Sequence, residues 1–126
     1  MATTPARRPR RIVEQPPWQP QQTAEFLVQS YGGVTKLAGV LGVSKSQPTR
    51  WRKGEELPGP EATTRLLALA AVLRRALTLW EPEAAVIWME SPNAFLEGAR
   101  PVDVAVTRGA SEALAALEAE AQGAFA

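Results

Sequence analysis

The sequence predicts an all-α chain, and three observations carry that prediction. The apolar share of the 126 residues is 45%, yet there are only three Phe, four Trp and one Tyr, so Ala and Leu supply most of it, and both favour helices. No segment alternates apolar and polar residues with period two over a useful length, which leaves no strand. Proline and glycine punctuate the chain in helical order, proline or a small polar residue at a start and glycine at a stop.

The elements follow in order. Residues 1–22 hold Pro5, Pro9, Pro16, Pro17 and Pro20 with Arg7, Arg8, Arg10 and Arg11 and show no apolar period. They read as a disordered or extended arm, either a solubilising tail or a basic segment suited to DNA phosphates or the minor groove. From Thr23, Ala24, Phe26, Leu27 and Tyr31 share a helical face that Gly32-Gly33 ends. Val34, Leu37, Ala38 and Leu41 give a short second helix. Gly42-Val43-Ser44 is a turn with Ser44 as cap, and a third helix runs to Lys53 with Gly54 as its stop. Beyond the loop Leu57-Pro58-Gly59-Pro60, a long helix is expected from Glu61 to Trp80, with Leu66, Leu69, Ala70, Leu73, Leu77 and Trp80 at three- and four-residue steps. Its stripe suits either a dimer contact or the interior of one chain.

Shorter pieces complete the chain. Pro82 starts a helix carrying Ala85, Val86 and Met89; Ser91-Pro92 repeats the start signal, and Gly98 closes that turn. Pro101 opens a helix through Val106, and Ser111 caps a last helix from Glu112 to Gln122. The expected division is an arm over 1–22, a first helical region over 23–60 and a second over 61–126.

Charge and composition narrow the function. Residues 1–80 hold twelve Lys/Arg against five acids, and residues 81–126 hold two Arg against eight acids. A basic part beside an acidic part suits two kinds of partner, the basic one a phosphate backbone. There is no Cys and no His, which removes disulfides, thiolate and imidazole metal sites, and Cys- or His-dependent catalysis. No phosphate loop or nucleophile–base pair is present, so neither an enzyme, a cofactor nor a metal is expected. The longest apolar run, Leu66 to Leu73, is too short for a bilayer, and no apolar stretch follows the basic N-terminus; a cytoplasmic protein without membrane contact is expected.

Ala38-Gly39-Val40-Leu41-Gly42-Val43-Ser44 reads as one unit. Ala38 is small where two helices cross, Gly42 permits a left-handed turn, and Leu37, Leu41 and Val43 supply a buried face against which Trp51 packs. The spacing resembles the helix-turn-helix of phage-type, Xre-like repressors, whose second motif helix enters the major groove. That resemblance implies DNA contacts from Lys36, Ser44, Lys45, Ser46, Gln47, Thr49, Arg50, Arg52 and Lys53. Gln47 would read adenine and Arg50 guanine, while Lys36, Lys45, Arg52 and Lys53 would hold phosphates. Pro48 stands where that family usually has Val or Ile. A helix starting late, with Ser46 as cap and Pro48 in the first turn, accommodates it.

The second region carries Trp88, Pro92-Asn93, Leu96, Gly98 and Pro101-Val102-Asp103. This order resembles the toxin-binding domain of the Xre/MbcA/ParS antitoxin family, and with the helix-turn-helix the resemblance covers residues 23–126. Glu97 departs from it, since many members have Gly there. The resemblance implies an Xre-like helix-turn-helix region packed with a small helical toxin-binding domain. It further implies an antitoxin of a type II system that covers the active site of a cognate RES-domain, NAD-degrading toxin and represses its own operon by binding operator DNA. A homodimer and a hetero-oligomer with the toxin belong to the same expectation. Asn93, Phe95, Leu96, Arg100, Pro101, Asp103 and Phe125 are the candidate toxin contacts; Phe95 and Leu96, like Trp88, also suit a core. The alternative is a phage-type repressor without a toxin, which would need no Trp88-to-Asp103 module.

Overall fold

Proline sets the start of four of the seven helices among the described residues. The computed structural model describes residues 19–123. Among them the chain forms α1 (Pro20–Tyr31), α2 (Val34–Leu41), α3 (Ser46–Lys53), α4 (Pro60–Ala76), α5 (Pro82–Glu90), a 3-10 turn (Ala94–Leu96), α6 (Pro101–Arg108) and α7 (Ser111–Ala121), with no strand. Pro20, Pro60, Pro82 and Pro101 each stand in the first turn, where a missing N–H leaves no bond unmade.

Several boundaries differ from the expected ones. α1 begins at Pro20, inside the expected arm, because that proline initiates a helix instead of extending a coil. The rest of the arm, residues 1–18, and Phe125 lie outside the described residues. α4 ends at Ala76 although apolar spacing continues to Trp80. The Thr78 hydroxyl takes the Arg75 carbonyl, and Leu79 and Trp80 both donate to Ala76, which winds the chain into a tight turn. Ser111 is the first residue of α7, not its cap, and α6 continues to Arg108.

α4 runs through the middle and packs against α1, α2, α5, α6 and α7. Leu66, Leu69 and Leu73 are fully buried, each contributing roughly 1.5–3 kcal/mol by leaving water. Its stripe is therefore consumed within one chain, and among its leucines only Leu67 is exposed. The same apolar cluster joins Ala24, Leu27, Leu37 and Trp51 to Met89, Val102 and Leu117, so the two expected regions share one core. No helix among the described residues is long and apolar enough to cross a membrane.

Candidate functional site

α3 presents a polar face opposite its buried one. Pro48 and Trp51 are buried, while Ser46, Thr49, Arg50 and Lys53, spaced by three and four residues, share the opposite side. The helix begins at Ser46, so Ser46 lies within the first turn instead of capping it, and Pro48 falls there as expected. Ser44 opens the turn through its backbone: its carbonyl accepts the Gln47 N–H at 3.1 Å, and its own N–H donates to Gln47 Oε1 at 3.1 Å. That exchange is the glutamine half of a capping box. Lys45 and Lys53 are exposed and form no ion pair among the described residues.

A residue the sequence reading passed over closes this face. Glu56, in the loop after α3, accepts Arg50 Nε–H at 2.6 Å through one oxygen and Gln47 Nε2–H at 3.2 Å through the other. Arg50 also donates from Nη1 to Ser46 Oγ at 2.8 Å. The Arg50 hydrogen bond, helped by that of Gln47, holds the Glu56 carboxyl below the ordinary glutamate range. Two of the nine candidate DNA contacts lie apart from this face. Arg52 turns back to Glu25 on α1, with Nε 3.1 Å from the carboxylate. Lys36 pairs with Glu90 on α5 at 3.2 Å, and the same carboxylate accepts the Tyr31 hydroxyl at 2.9 Å. Burial first, and then that bond to Glu90, push the Tyr31 hydroxyl far above its ordinary pKa.

The second surface centres on the 3-10 turn. The Asn93 carbonyl accepts N–H groups from Leu96 at 3.0 Å and Gly98 at 2.8 Å, and the Asn93 N–H donates to Ala99 at 3.1 Å. This closes a short loop in which Glu97 takes a left-handed conformation, φ 59°. Phe95 stands 51% exposed on it, with a groove on each side. One, about 280 Å³, is lined by Trp88, Pro92, Asn93, Ala116 and Glu120. The other, about 310 Å³, is lined by Leu96, Glu97, Arg108, Glu112 and Ala115. Leu96 and Trp88 are half-buried, Trp88 against Trp80 with ring centroids 5.8 Å apart. Arg100 and Asp103 are exposed and form a two-point fork at 2.8 and 3.0 Å, whereas Pro101 is buried as the first residue of α6 and offers no surface.

No protein-family model matches the chain. It is 29% identical over 90 residues to the mycobacterial cidal antitoxin MbcA of Mycobacterium tuberculosis and to that of Mycobacterium bovis, covering 71% of this chain and 80% of each relative. A solved structure, the M. tuberculosis MbcT-MbcA toxin-antitoxin complex, contains a chain that aligns with a TM-score of 0.72 at 26% identity, over 84% of this chain and 96% of that one. The chain is a homologue of the MbcA antitoxins.

In this MbcA homologue the long-range contacts were the ones a linear reading misses. Arg65 of α4 donates to the last carbonyl of α2, that of Leu41, at 2.8 Å, beside the left-handed Gly42. Ile87 of α5, to which the sequence assigned no role, is 65% exposed on a groove of about 430 Å³ that also takes in Tyr31, Lys36, Pro82 and Val86. Its position beside Trp88 and Met89 gave no signal, because the helix α5 is apolar on most of its circumference.

Proposed function

We propose that this protein is the antitoxin of a type II toxin–antitoxin pair, neutralising an NAD-degrading toxin of the RES type by covering its active site and repressing its own promoter through α2 and α3. The observation that supports the reading most is the alignment, over 84% of this chain, with a chain of the MbcT-MbcA toxin-antitoxin complex. The Phe95 ridge supports the toxin contact: a half-exposed aromatic between two grooves is an anchor of the kind that dominates protein interfaces. Asn93, Leu96, Arg100 and Asp103 surround it in sequence as polar and apolar rim, and buried Pro101 shapes the helix that bears the fork. Lys45, Lys53 and Arg50 support the DNA contact. Operator binding by a homodimer would need a dimer surface other than the buried stripe of α4. A repressor without a toxin would leave the Phe95 ridge without a role.

The test is co-expression with a cognate RES-type toxin, reading growth and cellular NAD. Wild type restores both. Phe95→Asp and Arg100→Glu are expected to lose protection while keeping the wild-type melting profile, since both positions are exposed. Full protection by both variants would remove this surface from the toxin contact.

A further inference from the structure

The α3 face is built around an acid, which is unexpected for a surface that meets phosphates. Glu56 engages both residues assigned to base reading, Arg50 and Gln47, through different oxygens. Its charge offsets that of Arg50 on the face proposed to meet DNA. Such an acid either opposes binding or directs it, and the hydrogen bonds decide between these.

Gln47 is engaged at both ends of its amide. Adenine recognition needs its amide oxygen and nitrogen turned together toward the base edge. Here the oxygen takes the Ser44 N–H and the nitrogen donates to Glu56. Arg50 is committed on its inner side alone: Nε–H goes to Glu56 and one Nη1–H to Ser46. One Nη1–H and both Nη2–H groups remain, enough to supply the two N–H groups that guanine O6 and N7 accept. Holding the guanidinium from behind removes rotamer freedom before DNA arrives, so less is lost on binding.

We infer that Glu56 is a positioning residue for DNA recognition, holding Arg50 end-on for guanine with Gln47 as a bracket, and restraining that arginine from pairing with phosphates. This rests on the reading of α3 as a DNA-binding helix. The consequence has a sign that a purely structural acid would not give. Without Glu56, Arg50 is free to pair with any phosphate. Sequence discrimination then falls while affinity for unrelated DNA holds or rises, and the salt dependence steepens by about one counterion.

The experiment enriches duplexes from a randomised pool with full-length wild type and identifies the guanine whose preference disappears in Arg50→Ala. Dissociation constants are then measured by fluorescence anisotropy across a salt series, on the enriched duplex and on one with that guanine replaced. For Glu56→Ala the expected result is a loss of about fivefold or more in discrimination at that guanine, with undiminished binding to unrelated DNA. Glu56→Gln, which keeps an oxygen for Arg50 but drops the charge, is expected to retain part of the discrimination and to share the steeper salt slope. Unchanged discrimination in Glu56→Ala, or an equal loss of affinity for every duplex in both variants, overturns the positioning role while leaving DNA binding intact. A pool from which wild type enriches nothing overturns the DNA reading and this role together.

Discussion

Glu97 occupies a backbone region that costs an L-residue about 1–2 kcal/mol, because its Cβ crowds the carbonyl. The loop around it leaves no other choice: Asn93 accepts both Leu96 and Gly98, and the chain must reverse between them. The strain sits two residues from the exposed Phe95, at the surface proposed to meet the toxin, which is where stored strain is commonly found. Glu97→Gly removes the crowding but gives the unfolded chain more freedom, so the two effects partly offset. We expect a gain in unfolding free energy of up to about 1 kcal/mol, measured by urea denaturation, with an unchanged slope. A loss of stability would mean that the Glu97 side chain holds the loop by a contact that outweighs its backbone.

At the scale of elements, what the sequence made legible is what neighbouring residues decide. Pro82 and Pro101 mark helix starts and Gly32, Gly42 and Gly54 mark helix stops, because capping is settled within one turn, whereas Pro60, expected in the loop, is the first residue of α4. The helix-turn-helix was legible for the same reason, and so was the placing of Trp51 inside. The ties between elements were not. Tyr31 meets Glu90 across 59 positions, Arg65 meets Leu41 across 24, and Arg75 of α4 meets Glu118 of α7 across 43. Each joins residues far apart in sequence that no local pattern links, Tyr31 and Leu41 being fully buried and the others partly exposed. The pair between α4 and α7 carries a prediction. Arg75 approaches both Glu118 oxygens, at 2.7 and 3.1 Å, and that hydrogen bonding holds the Glu118 carboxyl below its ordinary value of 4.5. A carboxyl depressed in the folded state favours folding above its unfolded pKa, and this contribution is lost as pH falls through the folded value. Glu56 acts with the same sign. The melting temperature should therefore be insensitive to these groups near neutrality and decline below about pH 4.5. Glu118→Gln should lower it slightly at pH 7 and flatten the acid decline, since both pairs are exposed and screened. Parallel curves for variant and wild type across that range would remove Glu118 from the acid response.

Across the whole molecule, the two proposed surfaces are carried by one apolar core, and this bears on how they can be separated. Residues 23–60 and 61–126 were expected as distinct regions, yet Trp51 and Leu41 belong to the same cluster as Met89, Val102, Ala105 and Leu117. α6 packs on α4 and also on α2, and the Tyr31–Glu90–Lys36 network ties α1 and α2 to α5. A chain ending at Trp80 would lose three fully or nearly fully buried large side chains, Met89, Val102 and Leu117, and expose the α4 leucines they cover. Truncating a single buried Leu or Met to Ala costs about 2–5 kcal/mol, and a domain of this size holds about 5–15 kcal/mol in total. The truncated chain is therefore expected to lack a cooperative thermal transition by circular dichroism, and to bind neither toxin nor operator. The N-terminal helices would then be no independent DNA-binding unit, and point variants at Phe95, Arg100 and Arg50 become the means of separating the two activities. A sharp transition close to that of the full chain would instead establish the first 80 residues as a self-sufficient domain, with the shared core contributing little to it.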